Sequence, residues 1–220
     1  MPDYISLNRL LDILRLFPVR LRRLGRHFRT FRFSNISFWL VEFLFQLFEI
    51  IGVFDLYDAF ASLLKNARPL TEREINLASS IFGESLAYKC VRVDERAYLG
   101  PRTGNFCYVS GYTINSWGAM SDAILIHELM HVWQYQHLGI VYIPRALAAQ
   151  YSSEGYDYGG VKTLQEAIKI NKTLLDFNYE QQADIIEDYF RLSMGIRPSW
   201  GNGTADNLEV YAHFLLHLHL

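Results

Sequence analysis

Apolar and polar residues alternate at helical spacing over residues 4–18, and Pro18 predicts that this first helix stops there. Residues 36–54 (ISFWLVEFLFQLFEIIGVF) follow and are almost wholly apolar. Their length suits a membrane span. Glu42, Gln46 and Glu49 interrupt them at steps of four and three, which places all three on one stripe of a helix. The segment therefore reads as a strongly amphipathic helix with a broad apolar face. Thr71 with Glu74 is a capping-box pattern that opens a helix to about Phe82. Residues 86–94 and 104–116 are rich in Tyr, Val, Cys and Thr and read as short strands of a small sheet. Ser121-Asp122 caps a helix to about Leu138, with Gly139 as its stop. Further helices are predicted over 144–153, 161–172, 179–194 and 205–218, with Tyr156-Asp157-Tyr158-Gly159-Gly160 as a loop. The expected class is α+β: a basic, amphipathic helical region over 1–65, then a domain over 66–220.

Charge sharpens that division. The whole chain of 220 residues carries a net charge of −2, so no global argument for nucleic acid exists. Residues 1–35 nevertheless stand at +6, from eight Arg and two Asp, while the remainder stands at −8. Three readings compete for the N-terminal region. It is a helical layer packed on the following domain, a membrane-surface element whose arginines meet anionic headgroups, or an export signal cleaved near Ala59-Phe60-Ala61. Cys90 and Cys107 cannot define a disulfide framework and are expected to be buried thiols.

The chemistry concentrates in His127-Glu128-Leu129-Met130-His131. Positions i and i+4 of a helix share one side, so His127 and His131 can bind one zinc ion. Glu128 lies about 100° around the same helix. From there it can take a proton from a zinc-bound water and later deliver it to a leaving amine. Leu125, Leu129, Val132 and Trp133 on the far side can anchor the helix in a core.

Catalytic zinc takes three protein ligands and a water. His137 stands where a compact third ligand would, but Gln134 occupies the position at which the chain would need glycine to turn back. In a continuous helix His137 sits about 9 Å beyond His131 along the axis and about 100° off the ligand side. Glu180 is the better candidate. It opens a second helix, and Asp184 shares its face, where it can accept a hydrogen bond from a ligand imidazole. The competing reading is a solvated acidic stripe continued by Glu187. His213 and His217 form another i,i+4 pair without an adjacent carboxylate, for which a core or partner-facing role is expected.

The HExxH motif followed by a downstream Glu-x-x-x-Asp helix resembles the gluzincins, the thermolysin-like zinc peptidases. The wider strings are Ile126–Gln136, Arg145-Ala146-Leu147, Tyr156-Asp157-Tyr158 and Asn178–Ile186. They are similar to a bacterial group of small zinc peptidases that occur beside Rhs and Vgr components of contractile secretion systems. The likeness covers roughly residues 70–195 and not the N-terminal 65. It implies a zincin-like domain, a zinc site of His127, His131 and Glu180 backed by Asp184, and Tyr156 or Tyr158 as the group opposing the developing oxyanion. It also implies a Rhs/Vgr-type secretion partner, with the protein in the bacterial cytoplasm, at a membrane, or exported as an effector. The substrate is expected to be a protein or peptide. Two other functions compete: a non-catalytic, zinc-stapled adaptor of a secretion complex, and a membrane-active protein working through residues 1–65.

Overall fold

The computed structural model describes residues 3–31, 33–56, 67–97, 102 and 106–219. The expected boundary between the two regions and the Ala59-Phe60-Ala61 site lie outside the described residues. Helices α1 (Asp3–Arg29) and α2 (Ile36–Ile50) open the chain. The remainder holds α3 (Glu72–Phe82), α4 (Asp122–Leu138), α5 (Tyr142–Gln150), α6 (Gly160–Lys169), α7 (Tyr179–Ser193) and α8 (Leu208–Leu215). Strands β1 (Arg68–Pro69), β2 (Arg92–Asp94), β3 (Tyr108–Ser110) and β4 (Thr113–Asn115) form one sheet in the order β1-β2-β4-β3. β2 and β4 run parallel and the other two pairs antiparallel. The α+β class is as expected.

The caps predicted from sequence set the helix starts. Thr71 and Glu74 close the reciprocal capping box of α3, and the Ser121 hydroxyl accepts from Ile124 N–H at the start of α4. Asn178 accepts from Gln181 N–H and starts α7, with the Gln181 side chain returning to Asn178 N–H. α4 is a core helix rather than a surface one. Ala123 and every residue from Leu125 to Tyr135 are buried, with Ile126, Leu129, Met130 and Val132 fully so. The sheet packs on one side of it and α7 on another, and those contacts fix the azimuth of its polar residues.

Two expectations for the N-terminal region are corrected. α1 does not stop at Pro18 but continues to Arg29. A proline frees the carbonyl four residues back. Here that residue is Leu14, which is 74% exposed, so water can meet the freed group. Beyond the proline, Arg20, Arg23 and His27 anchor the helix to its neighbours. The second correction concerns α2. It ends at Ile50, with a turn at Gly52 (φ 77°), and it packs by its polar stripe. Glu42, Gln46 and Glu49 are all buried, whereas Leu40, Leu44, Phe48 and Ile51 are exposed. At 100° per residue those four lie opposite the polar stripe.

The packed side is held by ion pairs. Arg20, 2% exposed, binds Asp55 at 2.8 Å and the Glu49 carbonyl at 2.8 Å. Arg23 pairs with Glu49 at 3.2 Å, and its other nitrogen reaches the carbonyls of Gln136 and His137 at 3.0 and 3.2 Å. These are orphan carbonyls at the end of α4, so the guanidinium caps the helix that carries the histidines. Gly139, at φ 83°, lies beneath it. Its positive φ favours glycine, and a Cβ there would stand 2.7 Å from Arg23 Nη1 and push the guanidinium aside. Glu42 pairs with Arg145 on α5, which also donates to the Tyr179 hydroxyl at 3.0 Å. The hairpin is thus docked by charge on the helices that follow it, at the end of α4 and on α5. Among the described residues no helix is long and apolar enough to cross a membrane.

Candidate metal centre

α4 and α7 lie side by side, and the residues that face each other across them are polar and buried. His127, His131, Glu128, Glu180 and Asp184 are each 9% exposed or less. His127 Nε2 stands 3.5 Å from Glu180 Oε2, and His131 Nε2 stands 3.3 Å from the same oxygen. The rings meet edge to face with centroids 5.0 Å apart. Glu180 Oε2 has no aligned hydrogen-bond partner, so three lone-pair-bearing atoms converge without satisfying one another. Two ligands about 2.0–2.1 Å from one tetrahedral ion stand about 3.3 Å apart, so these separations fit a shared ion. The three atoms lie within 4.8 Å of one another.

A shell of partners holds these side chains. His131 Nδ1 donates to Gln134 Oε1 at 2.8 Å, which leaves the lone pair on Nε2. Gln134 is fully buried, and its amide donates to Tyr179 O and Gln182 Oε1, so its orientation is fixed. Gln150 donates to Glu180 Oε1 at 2.9 Å, turning Oε2 toward the histidines. On the other side of His127, Asp184 Oδ1 is 2.9 Å and Glu187 Oε2 3.2 Å from Nδ1, though neither is aligned for a hydrogen bond. Trp200 Nε1 donates to Asp184 at 2.7 Å and Arg191 to Glu187 at 2.7 Å.

The electrostatics follow from burial and proximity. Burial pulls the His127 imidazole down, but Asp184, Glu180 and Glu187 outweigh it, and its pKa stands well above the ordinary value. His131 is raised in the same way, burial being outweighed mainly by Glu180. Burial pushes Glu180 up, yet the two imidazoles carry it well below the carboxylate range. Glu128 is different: burial dominates and raises it, and its Oε2 has no partner. Burial likewise raises Asp184.

Of the residues singled out from sequence, His127, His131, Glu180, Asp184, Glu128 and Tyr156 come together. Tyr156 lies with its ring centroid 6.3 Å from His127, and burial pushes its hydroxyl up to about 12. Tyr158 does not join them. It is 2% exposed, its hydroxyl donates to Asp188 at 2.6 Å, and it meets Tyr211 at 2.9 Å. The expectation that it faces the site fails because Asp188 of α7 and Tyr211 of α8 hold it in the core. His137 stacks on Trp133 and binds the Ser85 carbonyl, away from the site. Glu187 is no solvated stripe but a buried neighbour of His127. The cysteines differ from expectation too. Cys90 is exposed on a 3₁₀ turn and Cys107 half-buried, with neither in a disulfide. His213 packs against Phe214, while the His217 side chain lies outside the described residues.

Sequence reasoning missed Gln134, Gln150, Glu187 and Trp200 as supports. Gln134 was legible, being three residues after His131 on the same helix side. Trp200 was not, since only the chain's return after α7 brings it back. A cleft of about 480 Å³ opens onto the site, walled by Phe106, Trp117, Met120, Tyr156 and Trp200 around Glu128.

No protein-family model matches the chain, and no solved structure matches it significantly. Over 136 residues the chain is 31% identical to the type VI secretion system spike protein VgrG2b of Pseudomonas aeruginosa. The match covers 56% of this chain and 13% of that protein, so the chain spans about an eighth of its relative's length.

Proposed function

We propose that this protein is a zinc-dependent peptidase whose site is His127, His131 and Glu180, with Glu128 as general base and Asp184 behind His127. The observation that carries this reading is the convergence of both Nε2 atoms on a Glu180 oxygen that has no aligned partner. Two imidazoles and a carboxylate suit zinc among the divalent ions. A zinc ion held there supplies a Lewis acid beside the scissile carbonyl. The rest is done by the chain's own groups. Glu128 lies in the cleft, on the same helix as both histidines, with a free carboxylate oxygen. Its raised pKa suits a group that takes up a proton at one step and returns it to the leaving amine at the next. Tyr156 keeps its proton to well above neutral pH and can donate to the developing oxyanion. The apolar residues of the cleft wall can receive side chains flanking the scissile bond.

The likeness to a secretion-system spike protein supports a place beside such an apparatus in a bacterium, as an effector that cleaves a protein target. A zinc-stapled adaptor would need the three ligands but not a partnerless buried carboxylate next to them, so Glu128 favours catalysis. The test compares bound zinc and cleavage of a mixed peptide library by wild type and Glu128→Gln. Retained zinc with activity reduced at least a hundredfold is expected from loss of a general base. Zinc in both proteins with no cleavage by either would support the adaptor instead.

A further inference from the structure

α2 is an amphipathic helix packed the opposite way round from a surface helix of a globular protein. Its charged stripe faces the domain and its apolar stripe faces out. Sixteen of the 27 exposed large hydrophobic side chains of the described residues lie between Leu11 and Leu56. Exposed apolar surface so concentrated marks an interaction site. It continues from one helix to the other. Phe28 of α1 meets Trp39 and Phe43 of α2 edge to face, which joins the flank of Leu14, Phe17 and Leu21 to the outer stripe of Leu40, Leu44, Phe48 and Ile51.

The described exposed charges beside it are of one sign. Arg15, Arg22, Arg26 and Arg29 are exposed and, at 100° per residue, occupy one side of α1 next to its apolar flank. The described carboxylates of this segment, Glu42, Glu49 and Asp55, are all buried and committed to the packed side. We propose that the outer face of the α1–α2 hairpin docks on an anionic lipid bilayer. The helices would lie in the interface with the arginines among the headgroups. A row of arginine beside a wide apolar face is the chemistry such a surface takes. A second copy fits less well, because a twofold pairing brings the rows of Arg22, Arg26 and Arg29 together, and among the described residues of the hairpin no exposed carboxylate answers them.

The experiment is co-sedimentation of the full chain with phosphatidylcholine vesicles, with and without phosphatidylglycerol. Binding to the anionic vesicles is expected, weakening with salt. Arg22→Gln with Arg26→Gln should weaken it about fivefold per arginine. Leu44→Glu with Phe48→Glu should abolish it, while an unchanged thermal melt shows that the fold survives. Binding should persist in chelator, which keeps this proposal separate from the peptidase reading. The idea is overturned if wild type binds neither vesicle at low salt, or if the Leu44/Phe48 variant binds as well as wild type. It is equally overturned if this face instead forms a dimer that the Leu44/Phe48 variant dissociates.

Discussion

The hairpin and the candidate metal centre both bury charge, and they do so in opposite ways. Under the hairpin each buried carboxylate has its own guanidinium: Asp55 has Arg20, Glu49 has Arg23 and Glu42 has Arg145. Between α4 and α7 four carboxylates (Glu128, Glu180, Asp184 and Glu187) surround two imidazoles, and among the described contacts one guanidinium, Arg191, answers them. A matched set is complete as it stands and works as a staple. An unmatched one has to be neutralised, either by protons held on its imidazoles and carboxylates or by a bound cation, and these residues are placed so that they could hold a metal ion. Burial alone would have marked both regions as equal candidates for function. The charge balance separates them.

The largest effect that should break this comparison is at the staple. Asp55→Ala leaves Arg20 buried with the Glu49 carbonyl and a shared carboxylate, and should cost about 3–5 kcal/mol in urea unfolding. If it costs under about 1 kcal/mol, the staple is ornamental. Next comes the support of the proposed metal ligands. Gln134→Ala removes the acceptor that holds His131 in its tautomer, and should weaken zinc affinity about 10–100-fold, read by chelator competition.

The smallest effect is the pH dependence of the metal-free protein. His127 and His131 are raised in the fold, so their contribution is fully present below the unfolded value of about 6.5 and is lost as pH rises through their folded values. Glu180 and Glu187 are lowered, so theirs is present above about 4.3 and lost as pH falls through their folded values. Glu128 and Asp184, raised by burial, add to the loss on the alkaline side. Thermal melts in chelator should therefore peak between about pH 4.3 and 6.5. Saturating zinc should move that peak toward alkaline pH, because protons and metal compete for the same atoms. A peak that zinc leaves in place would contradict a metal centre.

Much of this was legible in the chain because it is local. Capping residues set the start of α3 and α4 within a residue, and Gly139 set the end of α4. The i,i+4 spacing of His127 and His131, and of Glu180 and Asp184, put each pair on one side of its helix before any packing was known. What stayed hidden was non-local. The stripe of Glu42, Gln46 and Glu49 was visible, but its direction depended on arginines up to about a hundred residues away in sequence, at Arg20, Arg23 and Arg145. A hydrophobic pattern states that a helix has two sides, not which of them faces water. Tyr156 and Tyr158 looked equivalent for the same reason, until the packing of Tyr211 and Asp188 withdrew one of them.

The central claim is that the unmatched carboxylates belong to a metal centre with Glu180 as its third ligand. Elemental analysis of wild type and Glu180→Ala, both purified with zinc supplied and then dialysed, tests it most directly. Wild type should retain one zinc per chain and Glu180→Ala essentially none, with both proteins folded by circular dichroism. A wild-type protein that retains no zinc, or a Glu180→Ala protein that holds it as tightly, would contradict the account.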